Sequence, residues 1–153
     1  ARFVLVGEID PGNISSISNK EIKKWLDKGV IEWWGHRTNI HEVFAMSAIV
    51  VLPSYYGEGL PKVLIEAAAC GRAVITTDHP GCRDAIEPNV SGFLVPVRDP
   101  DSLADAIFNL LNNPELCNKM GLAGRKLAER DYGIDKVCNK HIEIYKSLLS
   151  EVL

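Results

Sequence analysis

The sequence predicts an α/β fold: a Rossmann-like parallel sheet with helices on both faces, followed by an α-helical C-terminal tail. Two observations predict it. Up to Pro96, short apolar runs rich in β-branched and aromatic residues alternate with helix-like stretches, and after Pro96 only helix-like stretches remain. The 153 residues, 46% of them hydrophobic, are enough for one core. We therefore expect residues 1–153 to form a single domain.

Each element follows from its local pattern, taken in chain order. The strand-like runs are apolar and short, whereas the stretches between them have helical spacing or are too brief for strands. Proline, glycine and asparagine separate the helices of the tail. The expected strands are 3–6, 30–34, 48–52, 73–76 and 93–95, and the expected helices are 21–28, 40–46, 61–71, 82–86, 102–112, 115–131 and 136–152.

Composition narrows the classes of function. A net charge of −3 from mixed acidic and basic residues argues against a nucleic-acid partner. Four cysteines without a C-x-x-C pair favour reduced thiols in a cytoplasmic protein over a zinc site or a disulfide framework. The sequence begins with Ala1 inside an apolar run and without a signal-peptide pattern, so we expect a piece of a longer chain.

Residues 53–71 join a strand to a helix and carry the most chemical information. Pro61 suits the first helical position, because its φ is already helical and it has no N–H to leave unpaired. The free N–H groups at such a helix start, with the positive end of the helix dipole, favour an anion. Open α/β sheets bind ligands at this carboxyl edge.

Two glutamates flank this helix start. Glu66 is the only charge between Val63 and Cys70, so we expect a carboxylate among apolar neighbours that needs either an internal partner or a ligand hydroxyl. Glu58 lies between Gly57 and Gly59, which let a backbone approach a ligand closely, although a solvated acid near a helix start would need no function.

Together Glu58 and Glu66 form an E-x7-E pattern, and the flanking text resembles retaining GT-B glycosyltransferases of family 4, the "glycosyl transferases group 1". The resemblance covers nearly the whole chain. Its segments are Val4-Leu5-Val6-Gly7, Pro53-Ser54, the glutamate pair, Val74-Ile75-Thr76-Thr77-Asp78, Pro80-Gly81-Cys82-Arg83-Asp84, Gly92-Phe93-Leu94-Val95 and Asp99-Pro100.

The resemblance implies the donor half of an enzyme that transfers a hexosyl unit from a nucleoside diphosphate sugar, UDP before GDP, with retention and without a metal or other cofactor. Glu58 would contact the donor sugar and act in catalysis, and Glu66 would bind the ribose. Backbone amides at Gly59, Leu60 and Lys62 would face the sugar and diphosphate. A further implied contact is the loop bordering the base: Gly35, His36 and Arg37.

The resemblance also implies partners, and this chain departs from the family pattern at its N-terminus and at one loop position. An N-terminal acceptor domain, the first strand of this domain and a basic pair that clamps the diphosphate should precede Ala1. The isolated chain is therefore expected to be inactive. It is also expected to be marginally stable, to be rearranged so that the strands beginning at Phe3 and Ala48 pair directly, or to self-associate. Where similar sequences often carry arginine, this one has Gly57. The complete enzyme would act in surface glycan biosynthesis in the cytoplasm, with peripheral association at the inner membrane face compatible with that role.

Two other functions stay open at this point. A module that binds a nucleotide sugar without transferring it would need the same pocket. A GT-B epimerase acting on a UDP-amino sugar is less favoured, because such enzymes lack this Pro-Ser-x-x-x-Glu-Gly-Leu-Pro run.

Overall fold

A computed structural model of the chain describes residues 1–13, 16–57 and 59–150. Its elements, in chain order, are β1 (Val4–Leu5), α1 (Asn19–Asp27), β2 (Glu32–Trp33), α2 (Ile40–Ala45), β3 (Ile49–Leu52), α3 (Lys62–Ala69), β4 (Ala73–Thr77), a 3₁₀ turn (Arg83–Ala85), β5 (Gly92–Val95), α4 (Pro100–Asn112), α5 (Pro114–Asp131) and α6 (Ile134–Ser150).

The chain divides into two compact units, Ala1–Val43 and Phe44–Leu153. In the first unit β1 and β2 pair in parallel, with Val4 opposite Glu32 and Leu5 opposite Trp33. Helix α1 contacts β2 and begins with a capping box, in which Ser18 and Glu21 each satisfy the other's backbone N–H. This cap starts the helix two residues before the predicted bound.

The second unit is built on a parallel three-stranded sheet in the order β3-β4-β5. All five residues of the central strand β4 are buried. Ala73 and Ile75 pack in one cluster with Leu110 of α4 and Met120 of α5. Val74 faces the opposite side by alternation and is equally buried, so both faces of β4 are covered.

Helix α3 is the crossover between β3 and β4 and contacts both strands as well as α5. Its buried residues Leu64, Ala67 and Ala68 recur at helical spacing and form one face. Because parallel strands joined by a helix require that helix to run back along the sheet, α3 begins at the carboxyl edge of β3.

The three later helices start earlier than predicted. Asp99 and Asn113 are the N-caps of α4 and α5, and Pro100 and Pro114 occupy the first helical turn, where a missing N–H costs nothing. The sequence pattern predicts breaks at these prolines, whereas both lie inside the helices.

The parallel sheets and the C-terminal helices confirm the predicted fold class. The single-domain organisation stays a prediction beside the two compact units.

A glycine pair fixes the distance between α5 and the turn after α3. A Cβ at Gly121 would collide with the Gly71 carbonyl and lie 3.4 Å from the Ala73 amide nitrogen. Gly71 itself has φ +68°, the left-handed conformation that ends α3. This contact therefore needs glycine at 121 for space and glycine at 71 for conformation.

We predict that Gly121→Ala lowers the free energy of unfolding by about 1–3 kcal/mol, because the added methyl meets backbone that cannot move aside. Urea denaturation would measure it. Gly124→Ala on the same helix is the matched control: its Cβ would lie 3.5 Å from Ala68 Cβ, an ordinary contact, so its effect should be neutral or stabilising. Equal stability of the Gly121 and Gly124 variants would contradict the close approach.

Candidate functional site

The chain leaves the sheet after Leu52 along a path that β4 fixes. The Thr76 hydroxyl donates to the Leu52 carbonyl at 2.8 Å, and the Thr77 hydroxyl donates to the Ser54 carbonyl. Both threonines are buried, and a buried hydroxyl without a partner would be costly. Their two bonds hold the first residues of the connection at the carboxyl edge of the sheet.

Two exposed tyrosines follow. The rings of Tyr55 and Tyr56 stack with centroids 4.4 Å apart, and their hydroxyl oxygens lie 3.1 Å apart. The Arg98 guanidinium carbon lies 4.8 Å from the Tyr55 ring centroid, within the range of a cation–π contact. Tyr55 and Arg98 border an open pocket of about 230 Å³ together with Thr77 and Val95, where β4 and β5 end.

The backbone around the first glutamate is open. Glu58 itself lies outside the described residues. A Cβ at Gly57 or Gly59 would meet no described atom within 4 Å. These glycines therefore border free space among the described residues, and the adjacent Leu60 is exposed as well.

The N-terminus of α3 lacks the groups that normally stabilise a helix start. Pro61 is the N-cap and not the first helical residue as predicted, because its ψ of 116° is extended while its carbonyl already accepts from the Leu64 amide at 3.1 Å. The proline side chain has no polar atom that could accept a hydrogen bond from the free amides of the helix start. Lys62 occupies the first helical position and no acidic residue lies in the first turn, so this end is left positive.

The opposite end of α3 is well supplied. Arg125 of α5 donates to the Ala69 carbonyl, and the Arg72 Nε donates to the Cys70 carbonyl at 2.9 Å. Both cations lie at the negative end of the helix dipole, where they stabilise it. Among the described residues, therefore, arginines pair with the carbonyl end of α3, whereas the first turn at its amide end contains no acidic residue.

Glu66 is neither isolated nor deeply buried, so the expected environment is wrong. Its Oε1 lies 3.2 Å from Lys62 Nζ, one turn earlier, and its side chain is 33% exposed while that of Lys62 is 84% exposed. Glu66 lies away from the buried face formed by Leu64 and its neighbours, as a spacing of two residues from Leu64 requires in a helix. Lys62, a residue of the same helix, is therefore the partner of the carboxylate, which is the alternative to a ligand hydroxyl.

Gly35, His36 and Arg37 belong to the first unit, whereas the other predicted contacts belong to the second. Gly35 has φ +65° and its carbonyl accepts from the Gly7 amide at 2.9 Å. His36 and Arg37 are exposed, and the Arg37 guanidinium carbon lies 5.8 Å from the Trp34 ring centroid. The structure thus presents an aromatic–cation pair at the end of β2.

Glu32 on β2 fixes the residue that leads into this loop, Trp34. Glu32 accepts from Arg2 Nε at 2.7 Å and from Trp34 Nε1 at 3.2 Å. The hydrogen bond from Arg2, then that from Trp34, lowers the pKa of Glu32 to about 2. The carboxylate is therefore charged at neutral pH and keeps Trp34 oriented.

Among the described residues, no group of three or more His, Cys, Asp or Glu side chains could hold a metal ion. Among the described helices, none combines the length and apolar character needed to cross a membrane. Arg98 and Arg125 were missed by sequence reasoning, because neither belongs to a motif and their partners are distant in the chain.

The family description "Glycosyl transferases group 1" matches residues 1–127. The family match agrees with the parallel α/β architecture. The chain belongs to the glycosyl transferases group 1 family. The N,N'-diacetylbacillosaminyl-diphospho-undecaprenol alpha-1,3-N-acetylgalactosaminyltransferase of Campylobacter jejuni is 32% identical over 155 residues, covering 99% of this chain and 39% of the relative.

Solved structures show the same fold. Sucrose-phosphate synthase from Thermosynechococcus elongatus matches with a TM-score of 0.83 and 26% identity over 97% of this chain and 38% of its own. A TarM variant from S. aureus, solved in complex with UDP and other ligands, matches with a TM-score of 0.82 and 26% identity over 94% of this chain and 29% of its own. The chain therefore spans less than half the length of these proteins.

We predict that Glu66→Gln changes the free energy of unfolding by less than about 0.5 kcal/mol, because an i,i+4 pair with an exposed lysine contributes little. Chemical denaturation would measure it, with Leu64→Ala on the same helix as the control that should cost about 2–5 kcal/mol. A loss above about 2 kcal/mol in the glutamine variant would indicate a structural role for the carboxylate.

Proposed function

We propose that this chain supplies the donor site of a retaining glycosyltransferase. The reaction transfers a hexosyl unit from a nucleoside diphosphate sugar, with UDP favoured, to an acceptor hydroxyl during surface polysaccharide or glycan biosynthesis. A separate acceptor-binding domain completes the enzyme, and no metal or other cofactor takes part.

The unequal ends of α3 carry the proposal. A helix start with a proline cap, a lysine and no acid lacks its usual stabilisation, and an anion bound there would restore it. A diphosphate is such an anion, and helix N-termini at the carboxyl edge of a parallel sheet bind phosphate groups in many folds. The charge that develops on the departing diphosphate would be stabilised by the same amides.

Each candidate residue has a role in this proposal. When the donor binds, Glu66 exchanges its contact with the exposed Lys62 ammonium for hydrogen bonds to the ribose hydroxyls. The Glu66 side chain is one-third exposed, so its carboxylate is accessible to a ligand from solvent. Glu58 contacts the hydroxyls of the donor sugar in the catalytic step. The amides of Gly59, Leu60 and Lys62 face the sugar and diphosphate.

The base would lie against the loop of the first unit. Arg37 and Trp34 offer a planar cation and an aromatic ring, both suited to stacking on a heterocycle. His36 is exposed beside them and Gly35 turns the chain there. We assign the base contact to this loop.

Two comparisons support the choice of nucleotide and pathway. The S. aureus structure was solved with UDP, and the Campylobacter relative is named as an N-acetylgalactosaminyltransferase acting on a diphospho-undecaprenol. These favour UDP as the carrier and a glycan as the product. The sugar and the acceptor stay unassigned.

We predict that Glu66→Gln lowers kcat/KM for transfer about 10–100-fold in the complete enzyme, because it removes a charge-assisted hydrogen bond to the donor. Glu58→Ala should lower it at least as much. Glu143→Gln is the matched control: Glu143 also forms a helical pair with a lysine, Lys140, but lies in α6, far along the chain from the proposed site. It should leave transfer unchanged.

Transfer from a panel of UDP-sugars and GDP-sugars would be measured, and the anomeric configuration of the product read by ¹H NMR. Retention of the donor configuration is expected. Unchanged turnover by the Glu66 variant would remove that residue from the site, and an inverted product would contradict the proposed reaction.

A further inference from the structure

The turn between β5 and α4 reaches the connection that carries the donor contacts. Arg98 lies in this turn, and its guanidinium carbon is 4.8 Å from the centroid of the Tyr55 ring. Tyr55 in turn stacks on Tyr56, directly before Gly57. One arginine thus contacts the segment from which the proposed sugar and diphosphate contacts project.

Arg98 adopts a conformation that its own side chain disfavours. Its φ is +59°, and the one other non-glycine residue with a positive φ in the described chain is Asn89, of a type that tolerates this region. Such a conformation persists only where surrounding structure fixes it. Directly after Arg98, Asp99 caps α4 by accepting from the Ser102 amide at 3.0 Å, which fixes the backbone on that side.

The Arg98 guanidinium has no competing partner. Within residues 1–13, 16–57 and 59–150 it makes no hydrogen bond and no ion pair, and its contact is with the face of the tyrosine ring. Arginine is suited to this contact because its planar group stacks on aromatic rings. The strained turn is therefore compensated by a contact with the connection rather than by a charge pair.

We propose that Arg98 is a positioning residue for the sugar and diphosphate of the donor: by stacking on Tyr55 it holds Gly57, Gly59 and Leu60 in place before the donor binds. This rests on the proposed function for the identity of the ligand, but its structural part does not. Because Gly59 and Leu60 are the residues assigned to the sugar and diphosphate, Arg98 affects recognition of that part of the donor, whereas the ribose contact is assigned to Glu66.

Backbone ¹⁵N relaxation of the ligand-free chain tests the structural part. Arg98→Gly and Tyr55→Leu should each lower the order parameters of the Gly57, Gly59 and Leu60 amides, to below about 0.6, because the cation–π contact is lost. Tyr55→Phe keeps a ring under the guanidinium and should stay near the unchanged values. Equal order parameters in the unchanged chain and in Arg98→Gly would overturn the proposal.

A melting temperature and a control variant distinguish positioning of the loop from a general loss of stability. Glycine favours positive φ, so Arg98→Gly should melt at the same or a higher temperature than the unchanged chain while its loop loosens. Asn89→Gly is the matched control, since it relieves the same backbone preference at an exposed position without touching Tyr55. A fall in the order parameters of Gly57, Gly59 and Leu60 in Asn89→Gly equal to that in Arg98→Gly would overturn the assignment.

Calorimetric titration separates the sugar and diphosphate from the nucleoside. With UMP, UDP-N-acetylglucosamine and UDP-N-acetylgalactosamine as ligands, Arg98→Gly should weaken the UDP-sugars about tenfold and leave UMP nearly unchanged. Equal losses for UMP and the UDP-sugars would overturn the positioning role. Failure of the proposed function would look different: the unchanged chain would bind none of the three, whereas the relaxation result would still decide the role of Arg98.

Discussion

The packing of α3 against β3, β4 and α5 is the constraint on which the candidate site depends. Leu64 and Ala67 are fully buried on this helix, and Gly121 of α5 approaches the Gly71 backbone so closely that no larger residue fits. Because β4 is buried on both faces, α3 cannot shift along the sheet without opening the core. The position of its N-terminus at the sheet edge follows from this packing.

The two ends of α3 differ in the groups that pair with their backbone, and this difference divides their roles. Arg72 and Arg125 donate hydrogen bonds to the Cys70 and Ala69 carbonyls at the carbonyl end and so stabilise the helix. The amide end carries Pro61 and Lys62 instead of a side-chain cap and an acid. Stability and ligand binding therefore use different ends of one element, so a change at the amide end can alter binding while the core stays intact.

Much of this arrangement could be predicted from the sequence, because it depends on local patterns. The apolar β-branched runs predicted each described strand, and the E-x7-E spacing singled out Glu66, whose role stays a prediction. The pairing of Glu66 with Lys62 also follows from local spacing, because residues four apart share a helix face, and the comparison of apolar neighbours overlooked it. That Pro61 caps the helix instead of starting it depends on its extended ψ, which the residue type does not fix. The positive φ of Arg98 is set by contacts distant in sequence, which no local pattern reveals.

The most direct test of the central claim is a two-dimensional ¹⁵N NMR titration of the chain with UDP and, separately, with uridine. If the amide end of α3 binds the diphosphate, the amides of Gly59, Lys62 and Val63 should shift strongly with UDP and little with uridine. Amides in α6, such as that of Glu143, should stay in place with both. Saturable UDP shifts confined to α6, or equal shifts of the Lys62 amide with UDP and uridine, would contradict the account.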